Sequence, residues 1–342
     1  MLDKILVIQT AFIGDAILTL PMIEKLKEKF PSEDIEVLCI PSTQEIFSTS
    51  PFVSNVLVLE KRGKHKSLLQ MYKFVNQIKK KNYSKIFSPH RSFRTSLLVM
   101  QSGVKETYGF SNSSMFHVYK HVVDYEFNSH EVQRNLKLIG CDYSSDNWRI
   151  IPKVKVSEAA RSKIIDILAS FKSVRNLIAI APGSIWKTKR YPEEYFREIV
   201  KKLITKSFNV IVIGSEADKE LCERIAELDS ERAISAAGKI SIIESIELLK
   251  SVRLLLTNDS APTHMGVCAD IPVLTIYTST ISGFGFYPYN KKSSYISYDN
   301  LKCKPCGIHG YELCPIKTFD CGEKLMPQII ITKIEEMLSV QN

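Results

Sequence analysis

Short apolar runs of strand length alternate with amphipathic helical segments along both halves of this chain. Residues 177–181, for example, are apolar at every position, which is typical of a strand buried on both faces of a parallel sheet. Parallel neighbours cannot be joined by tight turns, so each strand needs a crossover, and the intervening helices supply it. The pattern predicts an α/β protein built from doubly wound, Rossmann-like sheets.

The same alternation of strands and helices occurs twice, which in a chain of 342 residues predicts two domains. The first, residues 1–160, is expected to have strands near 4–9, 35–40, 56–59 and 85–88, with helices near 15–30, 67–81 and 93–101. The second, residues 176–325, is expected to have strands near 177–181, 209–213, 233–236, 254–257 and 273–276, with helices near 192–206, 216–228, 241–251 and 261–268. A polar stretch at 153–175, with an amphipathic helix at 159–171, is the expected link. A final helix at 326–342 is expected to pack back on the first domain.

The formal charge of +9 comes entirely from the first half of the chain. Residues 1–175 contain 26 Lys and Arg against 17 Asp and Glu, whereas residues 176–342 contain 20 of each. Between Lys61 and Lys105 there are 12 basic residues and no acidic ones. This run fits a solvated basic face, or a field that attracts phosphorylated ligands or an anionic membrane surface. Nucleic acid is not expected, because the aromatic residues in the run fit core positions better than a stacking platform.

Several motifs that would indicate other functions are absent. The chain has no GxxxxGK[ST], no GxGxxG after the first strand, no GxSxG and no HExxH, which argues against a kinase, a dinucleotide oxidoreductase and a serine hydrolase. It also lacks an Asp-x-Asp pair, so a phosphate would be held by amides and side chains rather than by a metal. No apolar stretch is long enough for a transmembrane helix or a signal peptide. We therefore expect a cytoplasmic protein.

The first strand leads into residues 10–15, Thr-Ala-Phe-Ile-Gly-Asp. Gly14 permits a tight turn there, and Asp15 falls at the start of a helix. Two interpretations are open for this carboxylate. It is either a first-turn residue that satisfies the helix N-terminus, or a general base at the ligand-binding end of the sheet. As a base it would be kept ionised by the helix terminus and would be weak at pH 7.

A second segment, residues 181–192 (Ala-Pro-Gly-Ser-Ile-Trp-Lys-Thr-Lys-Arg-Tyr-Pro), follows the first strand of the second domain. It brings a glycine, hydroxyls and three cations to a helix that has proline and acidic residues in its opening turns. The segment is either a surface loop with solvated lysines or a phosphate site at the carboxyl end of the strand.

A third segment, residues 256–264 (Leu-Thr-Asn-Asp-Ser-Ala-Pro-Thr-His), runs from a strand into a helix. Free N–H groups at a helix start bind anions, and the small side chains of Ser260 and Ala261 would let a diphosphate come close. His264 is either a core histidine or a contact to that ligand.

Half of the eight cysteines lie in one C-terminal stretch, Cys303-x2-Cys306-x7-Cys314-x6-Cys321. Disulfides are disfavoured in a cytoplasmic chain, and a short pair followed by two more thiols is typical of a structural zinc loop. The second spacing is looser than that of a zinc ribbon or finger. Structural zinc, free thiols and a disulfide or redox pair therefore all stay open.

Together these segments resemble the ADP-heptose:lipopolysaccharide heptosyltransferases of glycosyltransferase family 9. The resemblance also covers residues 89–94 (Pro-His-Arg-Ser-Phe-Arg), 108–110 (Tyr-Gly-Phe) and 130–135 (His-Glu-Val-Gln-Arg-Asn), so it extends over nearly the whole chain. It implies two facing Rossmann-like domains of the GT-B type and an enzyme that inverts the anomeric carbon without a metal ion. The donor nucleotide would bind the C-terminal domain and the acceptor the N-terminal domain.

The resemblance also implies roles for single residues. Asp15 matches the general base and Lys189 the catalytic, diphosphate-binding lysine. Ser184 lies where a hydroxyl touches the phosphates, and Asp218 where an acid meets the adenosine ribose. The remaining implied donor contacts are Asp259, Ser260, Ala261 and His264.

Two positions depart from the family pattern, because Ala261 stands where many members have glycine and residues 280–284 replace the more usual Thr-x-Pro-x. Both lie beside the donor and leave its sugar open. On the acceptor side, Arg91 and Arg94 are expected to bind anionic groups through two guanidinium N–H donors each.

The expected partners are ADP-heptose or a related nucleotide sugar, a phosphorylated glycolipid and the anionic inner face of the inner membrane. The enzyme would be cytoplasmic and peripheral at that membrane, and catalysis would require no cofactor. A nucleotide-sugar epimerase of the same fold and a noncatalytic sugar-nucleotide or membrane-surface binding protein are the alternatives. Asp15 discriminates against a binding protein, which has no need of a carboxylate on the acceptor side.

Overall fold

A computed structural model describes residues 3–60, 63–64, 67–141, 146–171 and 174–339. The chain divides into two compact units, Met1–Lys155 and Val156–Asn342. Each unit contains one six-stranded sheet, and every strand pair in both sheets is parallel. The predicted α/β class with two doubly wound sheets is confirmed.

The first unit contains strands β1–β6 and helices α1–α5. The strands are Lys4–Ile8, Asp34–Cys39, Asn55–Val58, Lys85–Ser88, Glu106–Phe110 and His121–Val123. The helices are Ile13–Lys29, Gln44–Ser48, Leu68–Lys80, Phe93–Ser102 and Glu131–Leu138. The strand order is β3-β2-β1-β4-β5-β6.

The second unit contains strands β7–β12 and helices α6–α12. The strands are Leu177–Ala181, Asn209–Val212, Ala233–Ser235, Leu254–Asn258, Val273–Tyr277 and Ser294–Ser297. The helices are Glu158–Leu168, Glu193–Thr205, Lys219–Ala226, Ile242–Leu249, Ala261–Cys268, Asp320–Glu323 and Pro327–Ser339. The strand order β12-β11-β10-β7-β8-β9 repeats the topology of the first unit.

The central strands are the most buried elements of both units, as their apolar sequences predict. Residues 5–8 of β1 and 254–256 of β10 are completely inaccessible to solvent. Helices begin where the sequence provides caps; for example, the Ser67 hydroxyl accepts the N–H of Gln70 at the start of α3. Among the residues that the structure describes, no helix has the length and apolar character of a membrane span.

The ends of the two units differ from the predicted domain limits. The division falls after Lys155, so α6 belongs to the second unit, although the first domain was expected to reach residue 160. The C-terminal helix α12 packs on α7, and Ile330, Ile331 and Ile334 join the core of the second unit. The apolar stripe of the helix thus completes the core of the second unit beside α7, and its packing on the first domain stays a prediction.

Several elements have no counterpart among the predicted ones. They are the strands β5, β6 and β12 and the helices α2, α5 and α11, each of which has eight residues or fewer. Periodicity is a weak signal over so few residues. Their positions follow from pairing and packing with the longer elements.

Candidate functional site

The order of both sheets reverses between their first and fourth strands. Such a reversal opens a crevice beyond the carboxyl ends of the two strands, where doubly wound proteins bind ligands. In the first unit β1 and β4 flank the reversal, and residues 9–15 and 89–94 follow them. In the second unit β7 and β10 flank it, and residues 182–191 and 259–264 follow. The segments predicted to bind ligands therefore border one crevice in each unit.

Asp15 lies in the first turn of α1, just beyond the end of β1. Its Oδ2 accepts the N–H of Phe12 at 3.3 Å, so it satisfies one backbone amide at the helix start. Burial, reinforced by the negative charge of Glu131, raises the pKa of Asp15 to about 7, although the Phe12 amide and Arg91 oppose the shift. The expectation that the helix terminus keeps this carboxylate ionised and weakly basic is therefore wrong, because lost hydration outweighs it. A carboxylate with this pKa is a competent base near neutral pH.

A buried ion pair on α5 supplies the charge that acts on Asp15. Glu131 Oε2 accepts Nη1 of Arg134 at 2.8 Å and the hydroxyl of Tyr125 at 3.2 Å. Arg134 also donates to the main-chain carbonyls of Glu126 and Phe127. A buried charge without partners is costly, and here the two side chains of the pair satisfy each other. The sequence did not indicate that Glu131 or Tyr125 belongs to the site.

Arg91 lies against the same tyrosine. The Arg91 guanidinium is 4.1 Å from the centroid of the Tyr125 ring, and that of Arg134 is 4.5 Å from it. Stacking of this kind orients a planar cation. Arg94 is in the first turn of α4, is exposed, and has no hydrogen bond or ion pair to any residue in the described ranges. The two predicted acceptor arginines thus differ, since Arg91 is held near Asp15 and Arg94 extends into solvent.

Two other segments of the family resemblance have structural roles. A side chain on Gly109 would approach the Tyr119 ring to 2.6 Å, so the Tyr-Gly-Phe segment needs glycine for close packing. Asn135 is fully buried and donates to the carbonyl of Leu18 at 3.1 Å. That bond ties α5 to α1 and fixes the distance between the buried ion pair and the helix that carries Asp15.

In the second unit, Lys189 and Asp259 form a buried ion pair. Lys189 Nζ is 2.6 Å from Asp259 Oδ2, and the side chains are 13% and 11% exposed. Thr280 donates its hydroxyl to the same oxygen at 2.7 Å. The interpretation of a solvated lysine is therefore wrong for Lys189, although it holds for Lys187, whose side chain is 64% exposed.

Asn258 at the end of β10 connects the two phosphate-site segments. Its amide nitrogen donates to the carbonyl of Pro182 at 2.7 Å, and its oxygen accepts the N–H of Tyr191 at 3.1 Å. One fully buried side chain thus holds both ends of the loop 182–191. Such a short polar side chain between neighbouring strand ends fixes the loop that carries Lys189.

Asp218 and Ser184 meet through Arg190. The Arg190 guanidinium donates to the carbonyl of Ser184 at 2.7 Å and lies 3.8 Å from Oδ1 of Asp218. The other carboxylate oxygen accepts the hydroxyl of Ser215 at 2.6 Å. Gly183 lies directly against this carboxylate, because a Cβ there would be 2.4 Å from Asp218 Cγ. The ends of β7 and β8 therefore place the predicted phosphate and ribose contacts side by side.

Two polar atoms near Asp259 are buried and have no hydrogen-bond partner among the described residues. They are Nδ1 of His264 and the hydroxyl of Tyr277. Burial lowers the pKa of His264 to about 4, with Asp259 opposing and Lys189 reinforcing the shift. The imidazole is therefore neutral, and both atoms keep unused hydrogen-bonding capacity next to the ion pair. The sequence singled out His264 but gave no signal for Tyr277.

Ser260 and Ala261 begin α10 beside this ion pair. The Ser260 hydroxyl makes 3.3 Å contacts to the carbonyls of Gly183 and Asn258 and does not cap the helix. Pro262 has no N–H, and the Thr263 N–H donates to the carbonyl of Ser260 at 3.0 Å. Of the first three residues of α10, only Ala261 therefore keeps an N–H for another acceptor, which is fewer than an open helix start offers.

The four C-terminal cysteines line one cavity of about 210 Å³ and are all unbonded to one another. Burial raises the pKa of Cys321 to about 11. At Cys314 burial acts in the same direction, but the backbone amides of residues 316–319 outweigh it and lower the pKa. Within the described residues, no three His, Cys, Asp or Glu side chains are gathered into a ready-made metal-ligand set.

The basic run between Lys61 and Lys105 contains both a lysine that is paired with a buried acid and lysines that are exposed. Lys81 Nζ is 2.5 Å from Oε2 of Glu36, a carboxylate that also accepts the Tyr83 hydroxyl at 2.6 Å. Lys81 therefore neutralises a buried acid of β2 and is not part of a solvated face. The exposed lysines of the run that the structure describes are Lys64, Lys73, Lys79, Lys80 and Lys105. Lys61, Arg62 and Lys66 lie outside the described residues.

Known proteins resemble this chain over most of its length. It is 23% identical over 290 residues to lipopolysaccharide heptosyltransferase 2 of Salmonella typhimurium, covering 80% of this chain and 82% of that one. It is 22% identical over 339 residues to lipooligosaccharide heptosyltransferase 2 of Campylobacter jejuni, covering 98% and 99%. The fold matches that of the Escherichia coli ADP-heptose lipopolysaccharide heptosyltransferase II structure with a TM-score of 0.78, 21% identity and 99% coverage of each chain.

The family assignment agrees with the segments that flank the two crevices. A model of glycosyltransferase family 9 (heptosyltransferase) matches residues 71–313, a range that includes Arg91, Lys189 and Asp259. Because this match spans most of the chain, the protein belongs to glycosyltransferase family 9, the heptosyltransferase family.

Proposed function

We propose that this glycosyltransferase moves a heptose from ADP-heptose to a phosphorylated acceptor of the lipopolysaccharide inner core, with inversion and without a metal ion. The observation that carries the proposal is the buried Lys189–Asp259 pair at the start of α10. A diphosphate leaving group needs positive charge close by, and this pair places a cation beside the positive end of the α10 dipole. The names of the relatives support the choice of heptose and of the lipopolysaccharide acceptor.

The donor is assigned to the second unit. Its diphosphate displaces Asp259 from Lys189, and the freed carboxylate, which keeps its bond from Thr280, accepts a sugar hydroxyl. Neutral His264 and Tyr277, whose polar atoms lack partners in the described part of the chain, take up the remaining sugar or phosphate oxygens. Ser184, Ser260 and Ala261 line the phosphates, and Asp218 binds the adenosine ribose.

The acceptor is assigned to the first unit. Asp15 removes the proton of the attacking hydroxyl as its oxygen bonds to the anomeric carbon from the face opposite ADP. The bond from that carbon to the diphosphate oxygen breaks, and its electron pair leaves with ADP. A single displacement needs one base and inverts the configuration. Arg91, oriented by Tyr125, binds an anionic group of the acceptor, and Arg94 extends the same basic site.

A transfer assay tests the proposal and separates the alternatives. The protein is incubated with ADP-heptose, with and without a soluble phosphorylated inner-core fragment, and the products are followed by NMR. Release of ADP that depends on the acceptor, together with an inverted glycosidic bond, is the expected result. Conversion of the donor without acceptor would instead indicate an epimerase. Donor binding without any turnover would indicate a binding protein.

We predict that transfer persists in EDTA at the rate seen without it. The reason is that no group of carboxylates or histidines among the described residues is arranged to hold a divalent ion at the proposed diphosphate site. A metal held by four thiols would be bound too tightly to respond to a brief treatment. Initial rates with and without EDTA check this, and loss of activity that Mg²⁺ or Mn²⁺ restores would overturn the metal-free mechanism.

We also propose a peripheral position at the cytoplasmic face of the inner membrane. Exposed lysines at the end of α3 provide a diffuse positive field, worth about 1 kcal/mol per lysine near an anionic surface. Replacing Lys79 and Lys80 by glutamine is expected to reduce sedimentation with anionic vesicles and to flatten its salt dependence. Turnover of a soluble acceptor fragment should stay unchanged. Lys81 is left intact in this variant because it neutralises Glu36.

Replacing the acceptor arginines is expected to affect acceptor binding and not vesicle binding, the reverse of the lysine variant. Arg91→Ala and Arg94→Ala each remove one charge-assisted contact, so the KM for a phosphorylated fragment should rise by about 10-fold or more. Vesicle binding should barely change. Steady-state kinetics on phosphorylated and unphosphorylated fragments checks this, since only the former should respond. An unaltered KM in either variant would place the acceptor anion away from that arginine.

A further inference from the structure

The C-terminal cysteines lie in a segment that has little else to hold it in place. Residues 298–319 contain no helix or strand, although loops longer than about 15 residues are uncommon in compact domains. Most of their side chains are exposed; Leu313, for example, is 78% exposed. Burial of apolar side chains therefore contributes little to the order of this loop.

Four cysteines in and beside this loop share one cavity; Cys321 is buried, Cys306 and Cys314 are half-buried, and Cys303 is exposed. Cys303, Cys306, Cys314 and Cys321 all line the same cavity of about 210 Å³. The donor set is four cysteines, which is that of structural zinc sites and of thiolate-bound iron.

The same loop supports the turn that carries Lys189. Thr188 donates its N–H to the carbonyl of Tyr311 at 3.0 Å, and its hydroxyl accepts the N–H of Tyr311 at 2.7 Å. Cys306 donates its N–H to the carbonyl of Ser279 at 2.8 Å, and Ser279 in turn contacts the Thr188 hydroxyl at 3.1 Å. The loop thus contacts both segments that surround Asp259, the one with Lys189 and the one with Thr280.

Gly310 brings the loop into direct contact with this turn. Its backbone adopts a φ of +79°, and a Cβ there would be 2.9 Å from the Thr188 hydroxyl and 3.1 Å from Cγ of Lys189. A larger residue would separate the loop from the lysine. The position of the loop is therefore coupled to the position of the lysine.

We propose that the four cysteines bind one zinc or iron ion and that the loaded loop, acting through Thr188, holds Lys189 in place for the donor diphosphate. On binding, each thiol gives up its proton and the sulfurs move together into the cavity. No redox step is involved. Lys189 needs a fixed position because charge stabilisation at a diphosphate depends on preorganisation. The second half of this proposal rests on the proposed nucleotide site.

Elemental analysis of the purified full chain tests the first half. About one zinc or iron per chain is expected in the wild type and in Cys141→Ser, a control outside the loop, and almost none in the double variant Cys303→Ser/Cys314→Ser. Cobalt added to stripped wild-type protein should give thiolate charge-transfer absorption. Metal-free protein that takes up neither zinc, iron nor cobalt, and in which all eight thiols react with a thiol reagent after unfolding in denaturant, would overturn the proposal. So would a disulfide within the cluster in protein purified under reducing conditions.

Calorimetry with ADP tests the second half. Stripping the metal from wild-type protein is expected to weaken ADP binding at least about fivefold, in the usual range of coupling between sites, and reloading should restore it. Thr188→Val should keep the metal and still weaken ADP binding. Equal ADP affinity in the loaded and stripped forms would refute the coupling while leaving the metal site standing. Failure of both forms to bind ADP would instead refute the proposed nucleotide site.

Discussion

Asp15→Asn is expected to lower kcat by ~10²–10⁴-fold, the range that a positioned general base contributes. The affinity for ADP should stay nearly unchanged, because the donor contacts are assigned to the other unit. Asparagine keeps the shape of the side chain but accepts no proton at neutral pH. The exposed carboxylate of Asp124 in the same unit provides the control, and Asp124→Asn should turn over normally. Transfer by the Asp15 variant at a rate close to that of the wild type would show that the base assignment is wrong.

The pH dependence gives the same assignment a second readout. Burial and Glu131 raise the pKa of Asp15 to about 7, and the ionised form is the one that accepts a proton. The wild-type kcat/KM should therefore rise as the pH increases through about 7 and level off above it. The residual activity of Asp15→Asn should lack this limb. A wild-type limb centred near pH 4, the usual range of aspartate, would show that the buried environment does not act on the base.

The stability of the protein should move in the opposite direction to its activity. The folded pKa of Asp15 lies above the unfolded value of 3.8, so the protonated carboxyl favours folding below that value, and this contribution is lost as the pH rises through about 7. At pH 8 the wild type carries an ionised, partly buried group that Asp15→Asn lacks. At pH 8 the free energy of unfolding of the variant should therefore exceed that of the wild type by on the order of 1–3 kcal/mol, after allowance for the partial exposure of Asp15. The variant should accordingly unfold at a higher denaturant concentration. Denaturant titrations at pH 5 and pH 8 measure the difference.

The parts of the fold that could be predicted from the sequence are those whose physics is local. Buried parallel strands such as β1 and β7 are continuous apolar runs, and the helices between them have a clear amphipathic period. The edge strands β6 and β12 are short and half exposed, so no periodicity distinguishes them from loops. The packing of α12 depends on which unit offers an apolar face, and its sequence does not contain that information.

The residues of the candidate site likewise fall into those that local sequence indicates and those that only the fold brings in. Short segments after strands identified Asp15, Lys189 and Asp259, because a parallel sheet always presents such segments at its ligand-binding edge. Partners that are distant in the sequence could not be found in this way. Tyr125 under Arg91, Glu131 beside Asp15 and Tyr277 near Asp259 are brought in by strand order and burial. The pKa of Asp15 was misjudged for the same reason, since desolvation depends on neighbours that only the fold supplies.

Lys189→Ala is expected to weaken ADP binding and to slow transfer together. A charge-assisted contact to a diphosphate contributes ~1.5–3 kcal/mol, so the Kd for ADP should rise by about 10- to 150-fold. The loss should be larger for transfer, because negative charge on the diphosphate grows as the sugar departs. Calorimetry and single-turnover rates on the same preparations measure the two effects separately. Unchanged ADP affinity would exclude Lys189 from the diphosphate site.

Two further variants decide whether geometry or charge alone matters at this position. Lys187→Ala removes a lysine from the same turn, but that side chain is 64% exposed and has only a 3.7 Å ion pair to Glu312, so little change in ADP affinity is expected. Lys189→Arg keeps the charge but replaces a compact ammonium by a planar fork in a space that Asp259 and Gly310 enclose. It should restore only part of the lost affinity. Full recovery with arginine would mean that the site needs a positive charge but not the position that the buried ion pair gives to the lysine ammonium.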